Sequence, residues 1–142
     1  MTIAAILQSK GNEVLTVTGD TSVRDAVALL ADRKIGAVPV VQGGRVAGIM
    51  SERDIIYRLR SDGAAVLDWT VERIMTAPAI TVAPGADILG ALSLITRRRI
   101  RHLPVVDGEA LIGLVSIGDL VKFRMDKIEA EAAAMLNYIQ SV

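Results

Sequence analysis

Residues 37–56 read AVPVVQGGRVAGIMSERDII, and residues 102–121 read HLPVVDGEALIGLVSIGDLV. Laid over each other they match without a gap. Pro39 falls on Pro104, Gly48 on Gly113, Ser51 on Ser116 and Asp54 on Asp119, each 65 positions on (104 − 39). The register continues toward the N-terminus: Thr16-Val17 falls on Thr81-Val82, Ala26 on Ala91, Leu29 on Leu94 and Ile35 on Ile100. A fixed period over most of a chain marks two copies of one structural unit.

The punctuation within each copy sets the order of elements. Val14 to Val17 is β-branched and reads as a short strand, and Gly19-Asp20-Thr21-Ser22 is a turn with Ser22 as helix cap. A helix follows over Val23 to Arg33 with an apolar face of Val23, Val27, Leu30 and alanines. Val38 to Val41 reads as a buried strand entered through Pro39, and Gly43-Gly44 joins it as a hairpin to Val46–Met50. Ser51 opens a second helix to about Leu59. Residues 61–70 connect the copies, and Val71 to Met75 forms a helical turn. The second copy repeats the plan: strand Ile80–Val82, turn Pro84 to Asp87, helix Ile88–Arg98, then strands Leu103–Val106 and Leu111–Val115 around Asp107-Gly108. A last helix starts at Ser116 and meets no breaker after Gly118 before about Ile139. Ahead of all this, Thr2 to Ser9 forms a short helix stopped by Lys10-Gly11-Asn12. The expected architecture is an α/β fold of α+β type, with a small sheet and helices on one face in each copy. The division falls at residues 1–70 (first copy, N-terminal helix and connector) and 71–142 (second copy and long C-terminal helix).

Composition narrows the function. The 142 residues carry 16 basic and 16 acidic side chains, which argues against a general polyanion binder. With no cysteine and one histidine there is neither thiolate chemistry nor a plausible zinc set. The start, MTIAAILQSKGNE, is not a signal peptide, and no apolar run is long enough to span a membrane, so the cytoplasm is the expected compartment. The core must be aliphatic, since the chain has one Trp, one Phe and two Tyr. Each copy is near the lower size limit for folding alone, so the two are expected to share one pseudo-symmetric unit.

The run Gly48-Ile-Met-Ser51-Glu-Arg-Asp54 recurs as Gly113-Leu-Val-Ser116-Ile-Gly-Asp119. In each, a strand ends, glycine allows close backbone approach, and a helix begins at serine. A helix N-terminus with a hydroxyl suits a phosphate, and the aspartate can accept from a ribose diol. The same Ser-x-x-Asp spacing is also a capping box, in which both side chains serve their own backbone. For one copy alone capping is the better reading; the duplication shifts the balance toward a site.

Taken together, these pieces resemble a tandem pair of CBS (cystathionine β-synthase) domains, a Bateman module, over about residues 10–125. The resemblance rests on the Thr-Val strands, the helices ending in Ile35-Gly36 and Ile100-Arg101, the Pro-Val-Val strands, the Gly-x-x-Ser-x-x-Asp runs and the Met75-Thr76 lead into the second copy. It implies a pseudo-two-fold unit with two clefts for adenosine-containing ligands: AMP, ADP, ATP, NAD(H) or S-adenosyl compounds. By that similarity Asp54 and Asp119 would hold ribose hydroxyls, and Ser51 and Ser116 would contact phosphate. Thr16, Val17, Thr81 and Val82 would border adenine, with Ile35, Gly36, Ala37 and Val38 and their counterparts Ile100, Arg101, His102 and Leu103. It implies a homodimer, no required cofactor, and regulation of a separate effector protein in place of catalysis.

The clefts should differ. Arg97-Arg98-Arg99-Ile100-Arg101-His102 stands where the first copy has Asp32-Arg33-Lys34-Ile35-Gly36-Ala37, so a phosphate-rich ligand is expected at or near the second site. Arg97 to Arg99 are read mainly as cover for a helix C-terminus, whereas Arg101 and His102 are ligand candidates. Arg53 either reaches a phosphate in the first site or lies on a solvated face. His102 has no nucleophile or second ligand spaced to it, so catalysis is not expected. Two rival readings are an interaction module with vestigial clefts and a nucleic-acid binder using the arginine run; scarce aromatics and zero net charge weigh against the latter. Along the last helix Val121, Met125, Ile128, Ala132, Met135 and Ile139 follow steps of 4, 3, 4, 3 and 4, a heptad-like seam for a second copy or for the protein's own surface. Trp69 is read as a core or interface anchor.

Overall fold

The computed structural model describes residues 1–11 and 13–141; Asn12, the last residue of the stop read at Lys10-Gly11-Asn12, and Val142 lie outside the described residues. Helix α1 spans Ile3–Lys10, strand β1 Val17–Thr18, helix α2 Val23–Arg33, strands β2 and β3 Ala37–Gln42 and Arg45–Ser51, and helix α3 Glu52–Asp62. A 3-10 turn (Gly63–Asp68) and the four-residue helix α4 (Val71–Ile74) lead into the second half. There α5 spans Ile88–Arg98, β4 and β5 span His102–Asp107 and Ala110–Ser116, and α6 runs for 24 residues, Ile117–Gln140.

The duplicated sequence yields duplicated geometry. Ser22 and Asp87 cap α2 and α5 by accepting from the amides of Asp25 and Gly90. Both helices close on a residue in the left-handed conformation, Lys34 and Arg99, each with φ of 53°. The β2–β3 and β4–β5 hairpins are antiparallel, and their registers shift at equivalent points, Val40/Val41 and Val105/Val106. Gly43 and Gly44 both take positive φ in the first turn; the second turn is Gly108-Glu109, with Gly108 at +63°.

The first strands are shorter than the periodicity predicts. Val14–Val17 shrinks to Val17–Thr18, parallel to β2, and Ile80–Val82 to a single parallel bridge, Val82 to Val105. The prolines explain this. Val82 donates to the carbonyl of Pro104 and accepts from Val106. Extending that ladder backwards would require an amide hydrogen from Pro104, which has none; Pro39 stops β1 in the same way. Toward β3 the missing donor is harmless, because Ile49, opposite Pro39, directs both its amide and its carbonyl outward to Thr76.

Two aliphatic cores form, and they cross the linear division. The first gathers Val23, Ala26, Leu30, Val38, Val40 and Met50 and takes in Val66, Val71 and Ile74. The second gathers Ile88, Ile95, Leu103, Val105, Val115 and Leu120 and takes in Ile3, Ile6 and Leu7 of α1. Across the division at 70/71, α1 packs into the second half and α4 into the first. Backbone bonds fix the exchange. Ile3 and Ala4 donate to Ala86 and Pro84, while Val71 donates to Thr21. Each half is thus closed by the segment that precedes the other in sequence. Trp69 is half-buried against the first core, with the Arg73 guanidinium 3.5 Å from its ring centroid.

Helix α6 contributes Leu120 to the second core, and Phe123 packs beside it. The heptad-like seam faces outward: Val121, Met125, Ile128, Met135 and Ile139 are all exposed, which removes the reading that it packs on the protein's own surface. Among the described residues no helix is long and apolar enough to cross a membrane.

Candidate functional site

A cavity of about 260 Å³ lies where the two halves meet. The first half contributes Ala37, Ile49, Ser51, Arg53, Asp54 and Tyr57. Thr76 and Ile80 come from the crossing segment, and Ile100, Arg101 and His102 from the second half. The volume is just below the roughly 300–1,000 Å³ of typical small-molecule sites, enough for one compact ligand.

Its polar groups are held by the corner between β3 and α3. Ser51 and Asp54 form a full capping box: the Asp54 amide donates to Ser51 Oγ (3.3 Å), and the Ser51 amide donates to Asp54 Oδ2 (2.9 Å). The Ser51 hydroxyl is also 3.1 Å from Oδ2, and Thr76 Oγ1 donates to Asp54 Oδ1 at 3.0 Å. Three of the roughly four acceptor directions of the carboxylate are therefore filled. A diol can gain a two-pronged grip only if the Thr76 hydroxyl turns away.

The helix N-terminus is less open to a phosphate than its sequence implies. The Glu52 amide donates to the Gly36 carbonyl at 3.0 Å, and the Asp54 amide is engaged by Ser51. Positive charge comes from side chains. Arg53 donates from Nη1 to the Arg99 carbonyl at 2.8 Å, which ties α3 to the C-terminus of α5. Arg101 Nη2 pairs with Glu52 Oε1 at 3.0 Å. A guanidinium has five N–H donors, so each keeps several for an anion. His102 is held below the usual imidazole range, first by burial and then by the Arg101 charge, against the pull of Glu52. It is mainly neutral at pH 7.

The cations expected at the second site thus sit elsewhere. Arg101 and His102 line the cavity of Ser51 and Asp54, because that crevice draws its walls from both halves. The equivalents of Arg53 and Arg101 around Asp119 are Gly118 and Gly36. Arg97 and Arg98 occupy the exposed last turn of α5.

The other candidates are scattered. Val38 and Leu103 are wholly buried in the two cores and Val17 nearly so, so their side chains do not face the cavity. Val82 packs against the second core, and Thr16 and Thr81 are exposed outside the cavity lining. Ile35 and Gly36 border a separate cleft with Leu30, Glu52 and Ile55. Ser116 and Asp119 form a second full capping box, and Lys10 Nζ reaches Asp119 Oδ2 at 2.6 Å. Burial pushes the Asp119 carboxyl up, but hydrogen bonds from Lys10 and Ser116 outweigh it and hold the group below the ordinary value.

Sequence reasoning missed Ile49, Tyr57, Thr76 and Ile80. Tyr57 follows Asp54 by three positions on α3, and helical spacing alone places it on the same face. Thr76 was visible only as part of the Met75-Thr76 lead. Among the described residues no group of three or more His, Cys, Asp or Glu is placed to hold a metal ion.

The pseudo-symmetric halves, with one cavity between them, define a tandem α/β module. The family model "CBS domain" matches residues 8–61 and 71–126, and the chain belongs to the CBS-domain family as a pair of such domains. It is 36% identical over 98% of its length to the CBS domain-containing protein CBSX3, mitochondrial, of Arabidopsis thaliana, covering 72% of that protein. A solved putative signal-transduction protein with CBS domains from Burkholderia ambifaria superposes with a TM-score of 0.83 at 42% identity, covering 89% of this chain and 95% of the other. CBSX2, solved in complex with AMP, superposes with a TM-score of 0.70 at 26% identity over 82% of this chain and 90% of the other.

Proposed function

We propose that this protein is a non-catalytic regulatory module that binds an adenosine-containing ligand in the cavity of Ser51 and Asp54. The observation that carries the reading is the convergence of Asp54 with Arg53 and Arg101 on one cavity between the halves. A carboxylate for ribose hydroxyls, two guanidiniums for phosphate and an apolar wall of Ile49, Ile80 and Ile100 match the parts of a nucleoside phosphate. Arg101 is already paired with Glu52, and Arg53 shares the cavity with Asp54, so little positive charge is spare, which suits AMP better than the more highly charged ATP; NAD(H) is the next candidate. The AMP complex of CBSX2 supports the choice. Occupancy would bridge the halves and bias their packing, and a separate effector protein would read that change. The exposed row on α6 supports a homodimer.

The test is isothermal titration and thermal shift with AMP, ATP, NADH and S-adenosylmethionine. AMP is expected to raise the melting temperature, and Asp54→Ala to abolish the shift while the circular dichroism spectrum stays native. No shift with any adenine compound at millimolar concentration would favour vestigial clefts, a reading that the satisfied capping boxes already permit.

A further inference from the structure

We propose that Lys10 confines nucleotide binding to the first crevice, because it occupies the second as a built-in substitute for a ligand. The inference rests on the reading of the first crevice given above.

The two crevices start from one plan. Both aspartates accept from the amide of their capping serine at 2.9 Å. They diverge where the closing segment passes. In the first half α4 ends after four residues and the chain becomes extended, so the Thr76 backbone bonds the outward edge of Ile49. Its hydroxyl then meets Asp54 as a neutral group that can rotate. In the second half α1 continues for eight residues, and among the described residues no such backbone pairing forms. Lys10, at its end, reaches over the equivalent edge. Its ammonium donates to the Leu114 carbonyl at 2.8 Å and to Asp119 Oδ2 at 2.6 Å.

An ammonium fixed at two points neutralises the carboxylate that ribose hydroxyls would need, and a hydroxyl is a weaker competitor than a charged donor. A second observation points the same way. Gly118 and Gly36 hold the places of Arg53 and Arg101, so the two guanidiniums of the first crevice have no counterpart in the second. Neither of two further surface clefts, around Leu30 and Ile55 and around Leu7 and Ile112, is lined by Ser116 or Asp119.

The experiment is a binding-stoichiometry titration with AMP. The wild type is expected to take one AMP per chain; Asp54→Asn reduces this to none, and Asp119→Asn leaves it at one. Lys10→Met keeps the aliphatic stem but removes the charge, and raises the count toward two, with the added site weaker for want of guanidiniums. Two AMP per wild-type chain, loss of the single site in Asp119→Asn, or a Lys10→Met count that stays at one would each overturn the proposal while leaving the first crevice standing. No AMP bound by wild type and Lys10→Met alike would overturn both. The Asp54 and Asp119 variants keep the outcome decisive even if Lys10→Met is poorly folded.

Discussion

Ile49 and Thr76 exchange both backbone hydrogen bonds, amide to carbonyl in each direction at 2.9 Å. This pairing sets the crossing segment against β3 and delivers the Thr76 hydroxyl to Asp54. It depends on Gly48, where an added Cβ would lie 2.7 Å from the Thr76 carbonyl oxygen and 2.8 Å from Met75 Sδ. At Gly113 the obstacle is the end of the Leu7 side chain, 2.6 Å away. Backbone yields less readily than a leucine tip. In denaturant titrations Gly48→Ala is expected to lose roughly 2–3 kcal/mol and Gly113→Ala about 1 kcal/mol. Equal losses would mean the segment adjusts freely.

Helix α1 is short and begins at Ile3, yet Ile3 is wholly buried in the second core. Ile3→Ala is therefore expected to destabilise by roughly 2–5 kcal/mol, the range for a core truncation, where a fraying terminal helix would show almost none. Equilibrium unfolding followed by circular dichroism measures the difference.

If AMP occupies the first cavity, Arg53→Ala and Arg101→Ala should each weaken it by about tenfold to a hundredfold, the effect of one charged hydrogen bond of roughly 1.5–3 kcal/mol. Arg97→Ala and Arg98→Ala, on the exposed end of α5, should change affinity by less than about twofold. Titration calorimetry of the four variants separates a built phosphate site from diffuse positive charge.

Stability should fall in two steps on acidification. Burial, the Arg101 charge and the Lys10 charge depress His102, whereas Glu52 and Asp119 oppose them. Its folded value lies below the unfolded one, so its contribution is complete above 6.5 and declines as pH drops from there through the folded value. Asp119 is depressed too and acts with the same sign at lower pH, beginning near 3.8. Melting temperatures measured from about pH 8 to about pH 5 should show the upper step in the wild type and lose it in His102→Gln.

The exposed row on α6 has Met125 at 55% and Ile128 at 48% exposure, an arrangement that is unfavourable in water unless a second copy covers it. Light scattering of the purified protein should give the mass of a dimer, and Met125→Asp with Ile128→Asp should halve it. A monomeric wild type would refute the dimer.

Much of the fold was legible because the signals are local. The ranges of α2 and α5 follow from their caps and their 3.6-residue periodicity, and the hairpins from glycine turns between short apolar runs. Pro39 was legible only as a strand-entry residue; in the fold it is the third residue of β2, and its consequence for β1 appears only once it has a neighbour on that side. The candidate site was legible as two motifs. Which residues join each motif was not, because a crevice between halves takes its second wall from the other repeat.

From its residue order the chain specifies two equivalent units, their helices and strands, and a serine–aspartate corner in each, since periodicity and capping act over a few neighbouring residues. The exchange of closing segments, the grouping of Arg101 with Asp54, and the ion pair between Lys10 and Asp119 emerge only on folding. The paired groups lie far apart along the chain. Burial of Ile3 and Val71 in opposite cores brings them together, and no local pattern encodes that choice.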